Sequence, residues 1–213
     1  MRREPVTTDV LQDDVLKAVA ARGGVRSYPR NSVIINEGER SDTFFIILSG
    51  RVKVYGSDES GREVVYGVHG PGEYVGEMAL DGGVRTASVV TIEETSCSVV
   101  SGAELKDFIA NHPEFALNLS HKLIRRARES TESVKNLALL DVYGRICVLL
   151  TTLAEESNGN LQVRDKLTQQ DIADRVGSSR EMVSRIFKEL MSGGYVSQDS
   201  GHWIILKKLP ARW

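Results

Sequence analysis

The sequence is short of the residues that mark secreted, membrane-spanning or metal-built proteins. Its two cysteines, Cys97 and Cys147, stand fifty residues apart and form neither a disulfide framework nor a metal-ligand spacing. A reduced, cytoplasmic compartment is the expectation. No uninterrupted apolar run approaches the roughly 18 residues that a membrane-spanning helix needs, so such a segment is excluded. The opening MRREPVTTDVLQDD has basic residues but no apolar stretch behind them, and reads as no secretory signal. The four histidines, His69, His112, His121 and His202, are dispersed without an HxH or HxxxH pair, which leaves a metal enzyme without ligands. There is no GxSxG nucleophile motif and no Walker A lysine. Charge of one sign is also missing: 27 basic against 29 acidic residues leave a net −2, which taken alone argues against a nucleic-acid partner.

What is present is ordinary globular material, 41% hydrophobic and 26% charged. At 213 residues the chain falls between one domain and two. From about Val25 to Val100 it reads as short strands rich in Val and Ile. Ser32–Ile35, Thr43–Leu48, Arg51–Tyr55, Glu63–Val68, Ala87–Ile92 and Ser96–Val100 are the candidates, separated by the turn chemistries NEGE, SG, DESG and GPGE. Strands this short and evenly spaced predict a sandwich or barrel-like roll.

After Val100 the periodicity becomes helical. GAELKDFIANHP predicts a short helix ended by Pro113, and a long helix follows to about Asp141 with no internal Pro or Gly. Leu117, Ser120, Ile124, Ala127, Thr131, Val134 and Ala138 recur in steps of three and four, a heptad seam that suits a self-associating pair. The alternative is a helix packed on its own roll. A further helix is predicted from about Asp141 to Glu156, then a loop over Ser157–Asn160, two helices joined by a tight turn, and a hairpin made of GYVSQ and HWIIL.

The two-helix unit carries the most specific pattern. Thr168 and Asp171 predict a capping-box start, Gly177 sits where a positive φ is needed, and Ser178 or Ser179 caps the second helix. On that helix Val183, Ile186, Phe187 and Leu190 share one face, with Arg180, Glu181, Ser184 and Arg185 on the opposite arc. A helix lying in a DNA major groove needs this division: arginine donates twice to guanine, and a carboxylate accepts from cytosine. Thr168, Gln169, Gln170 and Ser179 would suit phosphates and the groove edge. The competing reading is an amphipathic pair with a solvated face, Glu181 serving only as the carboxylate of a capping box with Ser178.

A second segment, GPGEYVGEMALDGGVRTA, is rich in glycine. Gly76, Gly82 and Gly83 allow backbone N–H groups to turn toward an anion, and Arg85 with Thr86 can clamp it. Glu77 repels phosphate but can accept from a sugar hydroxyl. A turn-rich connection with an Arg–Glu surface pair explains the same residues.

Together these segments resemble the cAMP receptor protein/FNR family of bacterial transcription regulators over essentially the whole chain, nearest to its cAMP receptor protein branch. VGEMALDGGVRTA looks like the family's phosphate-binding cassette, STESVKNLALLDVYGRI like its dimer-helix end and hinge, and VGSSREMVSRIFKEL like its recognition helix. The resemblance implies an α+β fold: a double-stranded β-roll sensor of the cyclic-nucleotide-binding type over 1–112, a dimerisation helix over 113–138, and a winged helix-turn-helix over 139–213. It implies that Gly76, Glu77, Arg85 and Thr86, supported by Arg126, hold the ribose and phosphate of a cyclic nucleotide, and that Ser130 and Thr131 meet its base. It makes Arg180, Glu181 and Arg185 the base readers, and Leu139–Asp141 the hinge.

Two departures bear on the effector. The cassette is one residue shorter between Gly-Glu and Arg than is usual, and the hydroxyl pair is Ser-Thr rather than Thr-Ser. The implied effector is cAMP, with cyclic di-GMP or ligand-free action as alternatives. An iron–sulfur cluster of the FNR type needs several thiolates, which Cys97 and Cys147 cannot supply. No covalent cofactor and no metal are expected. The implied protein is a homodimer on a palindromic double-stranded DNA site, with RNA polymerase as a partner, no membrane and no enzymatic activity. Remoter alternatives are a dimerisation module that binds no DNA and a metal-dependent β-roll enzyme.

Overall fold

A computed structural model describes residue 11 and residues 13–157 and 159–210. The opening segment, read above as carrying no secretory signal, lies almost wholly outside the described residues. The chain divides into two compact units, 1–56 with 65–127, and 57–64 with 128–213.

The first unit begins with helix α1 (Asp14–Ala20), whose first turn is capped by the Asp13 carboxylate. Eight strands follow: β1 (Gly24–Tyr28), β2 (Val33–Ile35), β3 (Phe44–Ser49), β4 (Val52–Ser57), β5 (Glu63–His69), β6 (Tyr74–Val75), β7 (Ser88–Thr91) and β8 (Thr95–Val100). They make two four-stranded sheets in the orders β1-β8-β3-β6 and β2-β7-β4-β5. Strands β1 and β6 were not anticipated. The first is largely exposed and the second is two residues long, so neither carries an apolar signature.

Strand β3 does not show the alternation of a half-buried strand. Its residues Phe44 to Leu48 are all buried. Side chains of a strand alternate between faces, and here both faces are covered. Phe44, Ile46 and Leu48 join α1, Leu105, Phe108 and Phe115 in one core, whereas Phe45 and Ile47 join Ile35, Val52, Val75, Val89 and Cys97 in another. Burial pushes the Cys97 thiol up to about 12, so it is a neutral core residue at ordinary pH.

Ser101 and Glu104 form a capping box at the start of α2 (Gly102–Asn111). Pro113 then opens the next helix, α3 (Pro113–Leu139), because its missing N–H is one that no helix start can use. Phe115 of α3 is buried, while the seam residues Leu117, Ile124 and Val134 are exposed on this chain.

In the second unit the chain leaves α3 at Leu139, and Asp141, extended at φ −69° and ψ 176°, caps α4 (Val142–Leu153). That helix ends three residues short of the expected Glu156. Residues Ala154–Ser157 form strand β9, paired with β10 (Asn160–Val163), with Glu155 opposite Gln162 and Glu156 opposite Leu161. Sheet pairing overrides the helix preference of two glutamates. The expected loop over Ser157–Asn160 is correspondingly shorter, since both its end residues belong to strands; Asn158 lies outside the described residues. Helices α5 (Gln169–Val176) and α6 (Arg180–Ser192) and strands β11 (Val196–Asp199) and β12 (His202–Ile205) complete the unit, with sheet order β11-β12-β10-β9.

Arg145 of α4 holds three elements at once. Its guanidinium donates to the carbonyls of Leu140 at 2.8 Å, Val176 at 2.7 Å and Gly177 at 3.5 Å. These are helix C-terminal carbonyls, which have no partner within their own helix and sit at the negative end of the helix dipole. The core beneath is built by Tyr143, Ile146, Leu150, Ile172, Val176, Val183, Phe187, Leu190 and Trp203. Phe187 lies 4.2 Å from the Trp203 ring, and Trp203 Nε1 donates to the Leu167 carbonyl at 2.9 Å. Phe187→Ala should therefore destabilise this unit by about 3–5 kcal/mol, read as an earlier urea midpoint in far-ultraviolet circular dichroism.

Candidate functional site

The glycine-rich cassette runs from β6 to β7. Gly76 sits at φ 94°, where a side chain is strained, and a Cβ there would fall 2.7 Å from the Thr43 carbonyl oxygen and 2.8 Å from Arg85 Nη1. A short 3-10 helix over Glu77–Asp81 follows, and the Gly83 N–H is taken by the Asp81 carboxylate at 2.8 Å. Arg85 is 4% exposed. Its Nη1 donates to the Gly76 carbonyl at 2.8 Å, and its Nη2 to the Thr43 carbonyl at 2.6 Å and the Ser41 hydroxyl at 3.2 Å. Its backbone is clamped too, the N–H donating to Glu39 and the carbonyl accepting from Gly38. Burial lowers the affinity of this guanidinium for its proton, and the carboxylates of Asp42, Glu77 and Glu39 oppose that shift.

Glu77 is 7% exposed and accepts from Arg126 Nη1 at 2.5 Å. Arg126 also donates to the Tyr74 carbonyl at 2.8 Å. The Arg–Glu surface pair considered from the sequence is thus corrected: both residues are buried, and Glu77 pairs with Arg126. Two buried polar atoms here, Tyr74 Oη and Arg126 Nε, have no hydrogen-bond partner among the described residues. Thr86 is exposed, as are Ser130 and Thr131, about one turn beyond Arg126 on α3.

Several side chains that tie the cassette strand to α3 were missed in the sequence. Lys122 donates to the Gly72 carbonyl at 3.1 Å and lies 4.3 Å from the Tyr74 ring centroid. Arg125 pairs with Glu73 at 3.3 Å, and His69 hydrogen-bonds the same carboxylate. That His69 contact, more than any other, holds the Glu73 carboxyl below the usual carboxylate range. The spacing of Lys122, Arg125 and Arg126 on one side of a helix was the available signal.

The second candidate surface is α6. Thr168 and Asp171 form the expected capping box at the start of α5, and Gly177 closes that helix at φ 62°. Gln170 donates to Asp174, one turn along the same helix, and Gln169 is half-buried. Ser179 is the N-cap of α6, its hydroxyl accepting from the Met182 N–H at 3.2 Å. Glu181 therefore stands at the second helical position, not the third, and the capping box with Ser178 is overturned. Val183, Phe187 and Leu190 are buried, while Arg180, Glu181 and Arg185 are exposed and Ser184 is half-buried. Hydrogen bonds from its own N–H and from Ser179 hold the Glu181 carboxyl down, so it is charged near neutrality. Among the described residues no cluster of His, Cys, Asp and Glu could hold a metal, and no helix is long and apolar enough to cross a membrane.

The Glu77–Arg126 pair makes a direct prediction. Arg126→Ala leaves a buried carboxylate without its cation, at a cost of about 3–5 kcal/mol. The melting temperature at neutral pH should fall, and much of the loss should return in the double variant Glu77→Gln/Arg126→Ala.

Comparison with known proteins identifies the domains that carry these residues. Residues 25–112 match the model of the cyclic nucleotide-binding domain, and residues 144–211 that of the Crp-like helix-turn-helix domain. The chain is 34% identical to the CRP-like cAMP-activated global transcriptional regulator of Mycobacterium tuberculosis, covering 79% of this chain and 78% of that protein. It is 33% identical to the cAMP-activated global transcriptional regulator CRP of Salmonella typhimurium, covering 87% and 90%. The solved structure of the c-di-GMP responsive global regulator CLP of Xanthomonas campestris superposes with a TM-score of 0.82 at 26% identity, covering 92% of this chain and 99% of that one. These relatives are transcription regulators and not enzymes. A cyclic-nucleotide-binding roll, a long helix and a helix-turn-helix unit stand here in one chain, which belongs to the CRP/FNR family of DNA-binding transcription regulators.

Proposed function

We propose that this regulator works as a homodimer joined along α3, reads a palindromic DNA site with two α6 helices, and is switched by a cyclic nucleotide, cAMP in the first instance. The observation that carries the DNA reading is α6 itself: Arg180, Glu181 and Arg185 project from the exposed side of a helix whose Val183, Phe187 and Leu190 are buried. Phosphates along the groove edge suit Thr168, Gln169, Gln170 and Ser179, with Ser184 beside the base readers. Pairing along α3 is supported by the exposed seam of Leu117 (63%), Ile124 and Val134 (66%). A sensor of residues 1–112, a dimerisation helix of 113–138 and a reading unit of 139–213 follow from this division of labour. A cytoplasmic location and RNA polymerase as partner accord with it.

For the effector, Gly76, Glu77, Arg85, Thr86 and Arg126 would take the ribose and phosphate, with Ser130 and Thr131 for the base. The cAMP-activated relatives support cAMP. A ligand that binds one arrangement of the dimer better than another shifts its population toward that arrangement. One observation favours a second reading, action without a nucleotide: the Arg85 guanidinium is already taken up by the Gly76 and Thr43 carbonyls.

Calorimetric titration with cAMP, cGMP and cyclic di-GMP separates these readings. Binding of cAMP, lost in Arg85→Ala and weakened in Glu77→Gln, is the expected result. Binding of none of the three removes nucleotide control. For DNA, Arg185→Ala should relax base preference at one position of each half-site and cost about 1–3 kcal/mol there. Selection of sites from random duplexes, followed by affinity titration at fixed salt, reads that change.

A further inference from the structure

The first turn of α6 carries one feature that Arg180, Glu181 and Arg185 leave unexplained. Met182 is 37% exposed, although it stands next to Val183, which is buried at the core. Its backbone is fixed by the Ser179 cap, so the exposure belongs to a well-held turn. At about 100° per residue Met182 lies roughly 60° around the helix from Arg185, three residues earlier. Side chains of a helix lean toward its N-terminus, which brings the thioether and the Arg185 guanidinium to adjacent places at the end of α6 that a groove-reading helix inserts first.

The major groove offers hydrogen-bond donors and acceptors on every base pair, and one apolar group, the 5-methyl of thymine. A thioether is a poor hydrogen-bond partner. Its complement in the groove is that methyl, and the three rotatable bonds of methionine let it follow a position that the backbone does not fix. We infer that Met182 is a specificity-determining residue that packs on a thymine methyl beside the base pair read by Arg185. This rests on α6 being the DNA-reading helix.

The test starts from a palindromic duplex selected from random DNA by the full-length protein. Each thymine is then replaced, in both half-sites, by deoxyuridine, which removes the methyl and nothing else. Wild type should lose about fourfold in affinity per half-site at one thymine position, the worth of one buried methyl. Met182→Gln, close in shape, should bind the thymine and deoxyuridine duplexes equally, and Met182→Leu should keep the preference. Thermal unfolding of both variants should match wild type, since the side chain is exposed. Equal wild-type affinity for the two duplexes at every position, a preference unchanged in Met182→Gln, or a selected site without thymine overturns the inference while leaving DNA reading intact. Failure to enrich any site overturns DNA reading, and this inference with it.

Discussion

The buried guanidinium of Arg85 sets the shape of the cassette. A charge at 4% exposure must find acceptors on the protein, and Arg85 finds them on Gly76, Thr43 and Ser41. The consequences spread outward. Gly76 has to be glycine, because a Cβ would collide with the arginine it serves. Residues Gly38 and Glu39 are drawn in through the Arg85 backbone. Glu77, next to Gly76 at the start of the 3-10 helix, finds its cation on α3 in Arg126. Any anion that Arg85 is to hold competes with the chain's own carbonyls. The Arg85 guanidinium is thus hydrogen-bonded within the chain itself.

A comparable economy governs the second unit. Arg145 gathers the end of α3 and the turn between α5 and α6 onto one planar group. The last carbonyls of two helices, which would otherwise need solvent, are satisfied by a residue of a third. The apolar residues of α5 and α6 pack with those of α4, β10, β11 and β12, leaving Arg180, Glu181 and Arg185 exposed on the outer arc of α6. The reading function proposed for α6 and its core packing share one helix because the helical period separates them.

How much of this was legible depended on whether a residue's partner was local. The α5–α6 unit was readable almost residue by residue, since a cap, a left-handed glycine and a 3.6-residue period are all written within about twenty positions. Only the choice between Ser178 and Ser179 as cap, and with it the place of Glu181, is not written in the local pattern. Strands β9 and β10 were hidden because Glu155 and Glu156 favour a helix, and their strand pairing depends on Leu161 and Gln162, themselves unremarkable. The partnership of Glu77 was equally invisible: the acid and the base lie 49 positions apart, and Arg85, eight positions away, was the nearer guess. Summed charge misled in the same way. Residues 139–213 hold ten basic and nine acidic side chains, so composition gives no hint of a nucleic-acid partner; the hint is the arrangement of Arg180 and Arg185 on one helix.

The contact between Phe187 and Trp203 has a consequence for observing the protein. The sequence has two tryptophans, and Trp213 lies outside the described residues. Trp203 is buried, hydrogen-bonded to Leu167, and 4.2 Å from an aromatic ring on the helix proposed to enter DNA. Its indole is thus an intrinsic fluorophore wired to α6. With Trp213 replaced by phenylalanine, a shift in emission reports whether that helix keeps its seat when a ligand or a DNA duplex is added, with no dye or label attached.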